Sequence, residues 1–127
     1  SAASDVYKRQ VLGVFGLFLQ VWPSLNPNSR LLVLDEPATG LDVAQRAALD
    51  AMLKVLCQAG LIVLASGHDL NHSLHHADDV WLISQGKLID IGSAQEVMQP
   101  DRLASVFDIA FERYHVEGRD WLITQSE

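Results

Sequence analysis

The sequence predicts an α/β domain in which βαβ units build a mainly parallel sheet and hairpins follow toward the C-terminus. Two apolar tetrapeptides, 31–34 and 61–64, are expected to be buried parallel strands because they are continuous hydrophobic runs and do not alternate. A long amphipathic segment lies between them and has the length of a crossover helix. Near the end of the chain, two alternating segments flank Glu117-Gly118, a pair typical of a tight turn. The crossover of the βαβ unit should be right-handed.

The helix between the two apolar strands should begin after Asp42 and end near Ala59. Asp42 is a favourable N-cap residue, and Gly60 is a favourable stop. Its apolar face is predicted to consist of Ala44, Ala48, Met52, Val55 and Ala59, widened by Leu49, Leu53 and Leu56. Arg46, Asp50 and Lys54 recur every fourth residue on the other side. This pattern predicts a surface helix packed on a sheet.

Five further elements are predicted in the second half of the chain. They are a helix over 70–77, a hairpin of strands 80–84 and 87–91, a helix opened by the Ser93–Glu96 capping box, a helix from Pro100, and a hairpin of strands 110–116 and 120–124.

Composition limits the classes of function. The chain has 127 residues, which is enough for one modest domain, and its formal net charge is −7. Residues 61–127 carry four basic and eleven acidic residues, a balance that argues against nucleic-acid binding. The single cysteine, Cys57, excludes an internal disulfide and is expected to be an inert thiol. The apolar run 11–22 is shorter than the roughly 20 residues of a membrane span.

Two adjacent acids follow the first apolar strand. Open α/β sheets bind ligands outside the carboxyl ends of their strands, where Asp35 and Glu36 would lie, and Pro37 would stop the ladder there. One carboxylate could hold Mg²⁺ through water and the other could orient or deprotonate a water. Taken alone, the three residues would be interpreted as a helix cap or the start of a turn. The strand before them and the residues after them favour metal-assisted phosphate chemistry.

Residues 31–42 read L-L-V-L-D-E-P-A-T-G-L-D and resemble the Walker B strand, catalytic glutamate and D-loop of the ATP-binding-cassette (ABC) ATPases. Residues 65–70, A-S-G-H-D-L, follow the second apolar strand and resemble the segment of that family that carries the switch histidine. The order and spacing of the two motifs fit the family, and together they are far more specific than either alone. The resemblance extends over about residues 17–125.

The resemblance implies roles for four residues. Asp35 would support Mg²⁺ through the ion's water shell, and Glu36 would polarise the attacking water. His68 would contact the γ-phosphate of ATP. Asp42 would lie in the loop that crosses to a second, identical ATPase subunit. Further implied partners are integral membrane permease subunits and, indirectly, a periplasmic binding protein, with the ATPase peripheral on the cytoplasmic face of the inner membrane.

Two motifs of the family are missing from the sequence. The phosphate loop G-x-x-x-x-G-K-[ST] is absent, because the single Gly-Lys pair, Gly86-Lys87, is followed by leucine. The signature L-S-G-G-Q is absent too. Both precede the Walker B strand in the family, so residues 11–127 are expected to be the C-terminal half of an ABC ATPase domain, a partial P-loop NTPase fold that is inactive alone. Residues 1–10 match nothing in the family and are interpreted as a non-native or disordered tail.

The segments after His68 resemble the importer branch that handles cobalamin, haem and iron–siderophore complexes. Within that branch, residues 41–45, 56–58 and 68–77 and the Glu117-Gly118 pair favour cobalamin, vitamin B12, with a siderophore or haem importer as the alternative. An inactive remnant or binding module is a further alternative.

The histidines offer one rival enzyme. Residues 68–72 read H-D-x-x-H, one methylene from the zinc-protease pattern, and on one helix His68 and His72 could bind Zn²⁺. His68 is expected in a loop instead, with Asp69 capping the next helix. A solvated helix face is predicted for His75 and His76, and no role is assigned to His115.

Overall fold

The computed structural model describes residues 31–125, which divide into two units at the Gly67–His68 junction. The predicted tail over 1–10 and the apolar run 11–22 lie outside the described residues. Within the described part, no helix has the length and apolar character needed to cross a membrane.

The first unit is the predicted βαβ element. Its described elements are β1 (Leu31–Leu34), α1 (Val43–Gln58) and β2 (Ile62–Ala65). The two strands pair in parallel, with Leu31 opposite Ile62 and Leu34 opposite Ala65. The second strand therefore begins one residue later than predicted, at Ile62.

Helix α1 begins and ends where the sequence indicates. The Asp42 carboxylate accepts from the backbone N–H of Gln45 at 2.8 Å, and the Gln45 side chain accepts from the Asp42 N–H at 3.1 Å. This reciprocal pair is a capping box, and it satisfies donors that the first turn of a helix leaves unpaired. At the other end, Gly60 has a φ of +98°, a conformation that favours glycine and turns the chain into β2.

The buried face of α1 is narrower than the predicted one and is formed by two of the leucines that the prediction included, Leu49 and Leu56. Leu49 and Leu56 are each 2% exposed, whereas Ala44, Ala48, Val55 and Ala59 are exposed. The prediction that centred the apolar face on these four residues is therefore wrong. The leucine stripe has helical spacing as well, and its longer side chains remove more apolar surface from water than alanine does.

The β1–β2 pair is half-buried on one face and exposed on the other. Leu32, Leu34 and Val63 are half-buried, whereas Val33 and Ile62 keep 63% and 64% of their surface exposed. The continuous apolar run predicted cover on both faces, so within the described residues that prediction holds for one face only.

The second unit contains two hairpins and three helices. Its elements are α2 (Leu70–His76), β3 (Asp79–Ser84), β4 (Lys87–Ser93), α3 (Ala94–Val97), α4 (Pro100–Phe107), β5 (Phe111–Val116) and β6 (Arg119–Thr124). Strands β3 and β4 pair antiparallel, as do β5 and β6. Both two-residue turns, Gln85-Gly86 and Glu117-Gly118, have positive φ at each residue, the backbone that matches the twist of a hairpin. The described strands thus form one parallel pair and two antiparallel pairs.

A single apolar cluster holds the second unit together. Helices α2, α3 and α4 and strands β3 and β6 contribute its buried residues, which are Leu74, Leu82, Ala94, Val97, Met98, Leu103 and Leu122. The predicted cap at Ser93 is present, because its hydroxyl accepts from the Glu96 N–H at 3.2 Å. Pro100 opens α4 at its first turn, where its missing N–H costs nothing.

Candidate functional site

The two predicted acids lie at the carboxyl end of β1. Asp35 and Glu36 follow Leu34 directly, and both are exposed. The backbone N–H of Ser66 donates to the Leu34 carbonyl at 3.0 Å, which continues the ladder from β2 just past its last strand residue. The acids therefore sit at the sheet edge where α/β folds bind ligands, and the chain after β2 lies beside them.

The Ser66 hydroxyl links both acids. It donates to Asp35 Oδ1 at 2.7 Å and accepts from the Glu36 backbone N–H at 2.8 Å. Sequence reasoning missed this residue. The available signal was a hydroxyl side chain just after the second strand, at the edge where the carboxyl ends of parallel strands meet.

Glu36 lies in an uncommon backbone conformation. Its φ of +44° is in the left-handed region, which costs a residue with a side chain roughly 1 kcal/mol or more. A turn closes behind it, because the Thr39 N–H donates to the Glu36 carbonyl at 3.1 Å. The Thr39 hydroxyl also donates to Glu36 Oε2 at 3.3 Å. The turn thus directs the chain away from the strand at the second acid.

The donor set at this edge fits a hydrated Mg²⁺. Carboxylate oxygens are the hard ligands that Mg²⁺ prefers, and the ion usually keeps several waters. A carboxylate that accepts from Ser66 through Oδ1 still has Oδ2 as an acceptor for a metal-bound water. Asp35 is therefore suited to the predicted role on chemical grounds, and the role itself stays a prediction.

The Asp42 carboxylate has a structural role at the start of α1. It caps α1, and the turn 36–41 connects it to the acids. The predicted role in coupling to a second subunit stays a prediction, and the cap explains the residue without it.

His68 lies in the loop between β2 and α2, at the start of the second unit. Helix α2 begins two residues later, and the Asp69 carboxylate caps it by accepting from the His72 N–H at 3.1 Å. The predicted loop position of His68 and cap at Asp69 are both present. The zinc interpretation needed His68 and His72 on one helix, so the fold removes its geometric basis.

The other four histidines make contacts within the second unit. His75 Nε2 donates to the Asp120 carbonyl at 2.7 Å, and its ring packs edge-on against Trp121 at 4.4 Å between centroids. His75 is half-buried, so the predicted solvated face is wrong for this residue. His115, which the sequence left without a role, pairs through Nδ1 with Asp120 Oδ1 at 2.6 Å. The His72 and His76 rings stack at 4.6 Å.

The described fold is that of a partial ATP-binding-cassette ATPase domain. A solved transporter assigned to the metal-chelate type of ABC transporter, in an inward-facing conformation, superposes with a TM-score of 0.66. The match covers 77% of this chain and 41% of the other, at 16% identity, and therefore concerns the fold alone. It confirms the predicted fold class. No protein-family model matches the chain.

In sequence, the chain resembles proteins named Vitamin B12 import ATP-binding protein BtuD. It is 55% identical to the one from Pectobacterium atrosepticum over 108 residues, which are 85% of this chain and 43% of the relative. The proteins from Yersinia pseudotuberculosis and Salmonella typhimurium are 51% and 50% identical over 87% and 85% of this chain. The predicted resemblance to ABC transporter ATPases is confirmed. The chain spans less than half the length of the curated relatives it matches.

Proposed function

We propose that this chain acts as part of a full-length ABC ATPase that hydrolyses ATP and energises the import of vitamin B12 across the inner membrane. The observation that carries the proposal is the 55% identity over 108 residues to a vitamin B12 import ATP-binding protein. The exposed pair of acids at the end of β1 supports it, because hydrolysis of a phosphate needs groups that orient water. The acids lie at the carboxyl end of the strand, where α/β folds bind their ligands.

In this proposal Glu36 orients the attacking water and accepts its proton. Its carboxylate is exposed at the end of β1, and the Thr39 hydroxyl bond at 3.3 Å limits its freedom. Asp35 binds the water shell of Mg²⁺, which would neutralise charge on the phosphates of ATP. His68, from its loop, contacts the γ-phosphate. Most of the rate enhancement then comes from positioning and electrostatics rather than from covalent chemistry.

The assembly follows from the same resemblance. Two identical ATPase subunits would enclose the nucleotides, with the loop around Asp42 reaching the partner subunit. Integral permease subunits would hold this peripheral ATPase on the cytoplasmic face of the inner membrane. A periplasmic binding protein would deliver the vitamin to the permease, so the vitamin itself never touches this chain. Substrate identity would then enter through the surface that recognises the permease.

Complementation tests the substrate directly. A full-length gene carrying this segment is expressed in a strain that lacks its own B12-import ATPase, and uptake of labelled cobalamin is measured. Rescue by the wild type, with none by Glu36→Gln, is the expected result. Rescue of iron–siderophore or haem uptake without cobalamin uptake would overturn the vitamin assignment and favour the importer alternative. Failure of every uptake assay, together with no ATPase activity, would favour a non-catalytic remnant.

A further inference from the structure

We infer that Ser66 is a positioning residue for both predicted acids, holding the Asp35 carboxylate and the Glu36 backbone at once. The inference rests on the proposed ATPase function. Ser66 lies two residues before His68, within the segment that resembles the family's switch-histidine segment, and the resemblance assigns it no role.

One hydroxyl can make both bonds without conflict. A serine hydroxyl has a single proton and two lone pairs. The proton is committed to Asp35 Oδ1 at 2.7 Å, because a carboxylate oxygen can only accept. A lone pair then receives the Glu36 N–H at 2.8 Å. The two bonds therefore fix each other's direction, and neither acid can reorient without breaking one of them.

The position of the hydroxyl is itself set by the sheet. The Ser66 N–H donates to the Leu34 carbonyl at 3.0 Å, so the serine is tied to the last residue of β1. Asp35 and Glu36 come next along that strand. The ladder bond and the two hydroxyl bonds together close a clamp around three successive residues of the strand end.

The clamp matters most at Glu36. Its φ of +44° is a conformation that a residue with a side chain adopts only when surrounding contacts hold it there. The bond from its N–H to Ser66 is one such contact, and the Thr39 turn is another. Loss of the hydroxyl would release the backbone that aims the Glu36 carboxylate and would free the Asp35 carboxylate to rotate.

Ser66 is exposed, so its hydroxyl should contribute little to the free energy of unfolding. If Ser66 had only a structural role, its replacement by alanine would therefore change neither the free energy of unfolding nor the turnover by much. If Ser66 positions the two acids, the same replacement should lower turnover while the protein stays folded.

The test uses the full-length ATPase with three variants. Ser66→Ala removes both bonds, whereas Ser66→Thr keeps the hydroxyl. Ser105→Ala is the matched control, because the Ser105 hydroxyl makes one bond, to the Arg102 carbonyl at 2.7 Å. Ser66→Ala should lower kcat about tenfold, a change in activation free energy of ~1.4 kcal/mol. The KM for ATP should stay within about twofold, because the lost bonds orient the acids and do not bind the nucleotide.

A second measurement does not depend on turnover. In a Glu36→Gln background, the gain in ATP affinity on adding Mg²⁺ is measured by calorimetry. Ser66→Ala should reduce that gain, and Ser66→Thr should restore it. Thermal denaturation of each variant should give Tm values close to that of the unaltered protein.

The outcomes separate the inference from the function on which it rests. Wild-type kcat and Mg²⁺ dependence in Ser66→Ala, with an active wild type, would overturn the positioning role and leave the ATPase proposal standing. A fall in kcat matched by a fall in Tm and not rescued by threonine would overturn it as well. An inactive wild type, or a Glu36→Gln variant with normal turnover, would count against the proposed function.

Discussion

The side-chain amide of Asn71 pairs in both directions with the backbone of Leu122. Asn71 Nδ2 donates to the Leu122 carbonyl at 3.0 Å, and the Leu122 N–H donates to Asn71 Oδ1 at 2.7 Å. Asn71 lies in the first turn of α2 and Leu122 in the middle of β6, fifty-one residues apart in sequence. The amide thus joins the helix that follows His68 to the last hairpin of the chain.

We expect Asn71→Ala to destabilise the second unit by about 1–3 kcal/mol. Leu122 is 6% exposed, so its two backbone groups would be left unpaired away from water. The measurement is urea unfolding followed by tryptophan fluorescence. Gln99→Ala is the control, because the Gln99 amide makes one exposed bond to the Gln95 carbonyl. Equal midpoints for both variants would contradict the prediction.

Asp120 is the centre of a charged network on the inner side of the last hairpin. Its Oδ2 accepts from Arg113 Nε at 2.9 Å, and its Oδ1 pairs with His115. Arg113 also donates to the Gln95 and Met98 carbonyls at 3.1 and 3.2 Å, which lie at the end of the short helix α3. The network therefore connects the hairpin to carbonyls that the helix leaves unpaired.

The pKa of Asp120 is lowered from its ordinary value of 3.8, first by the His115 hydrogen bond and then by the Arg113 hydrogen bond. A depressed folded-state pKa means that the unfolded chain takes up the proton first as the pH falls. The stabilisation is present above about pH 4 and is lost as the pH drops through the folded-state value.

We expect Asp120→Asn to flatten the acid limb of the stability curve. Its midpoint of urea unfolding should change less between about pH 5 and pH 2 than that of the unaltered protein. Added salt should narrow the difference, since ions screen charges near a surface. Asp101→Asn, at the exposed start of α4, serves as the control and should keep the original pH dependence. A steeper acid limb in Asp120→Asn would show that the carboxylate is not the group being protonated.

The elements of the fold were largely predictable because their signals are local. A capping residue, a glycine stop or a two-residue turn acts within a few positions, and Asp42, Gly60 and Gln85-Gly86 all behave as expected. Which face of α1 is buried was not predictable in the same way. Two stripes share the helical period, and only the packing of Leu49 and Leu56 decides between them.

The contacts across long sequence separations could not be read from the sequence. Ser66 reaches Asp35 and Glu36 only because β1 and β2 pair in parallel with one particular register. His75 is half-buried against the Asp120 carbonyl and Trp121, both supplied by a hairpin over forty residues away. A single sequence gives no periodicity that marks such partners, so the residues that organise the site were harder to identify than the acids themselves.

His68→Ala should reduce ATP hydrolysis by the full-length protein strongly, whereas His72→Ala should leave it largely intact. His68 lies in the loop after β2, while His72 is within α2 and stacks with His76. The measurement is steady-state phosphate release together with the zinc content of each purified protein. Stoichiometric zinc that disappears in either variant would revive the zinc interpretation.

Glu36→Gln in the full-length protein should abolish turnover and retain ATP. The amide keeps the shape of the side chain but cannot take a proton from water, and it removes a negative charge near the phosphates. Bound ATP per subunit, measured after rapid gel filtration, should therefore rise while phosphate release stops. Glu117→Gln is the matched control, since Glu117 is also an exposed glutamate with positive φ, in the last hairpin turn. Near-normal kcat in Glu36→Gln would remove Glu36 from the catalytic role.

The 127-residue chain by itself should neither hydrolyse ATP nor bind it tightly. Asp35 and Glu36 are held at the end of β1, but the sequence contains no phosphate loop, whose backbone N–H groups would cradle the phosphates. Two carboxylates without such a cradle repel a nucleotide that carries several negative charges. Calorimetry with Mg-ATP should therefore give no micromolar binding, and no phosphate should be released. The same titration with a full-length protein carrying this segment is the control and should show binding. Micromolar affinity in the short chain would mean that residues of this chain alone form a phosphate site, which would contradict the interpretation of the chain as a partial ATPase domain.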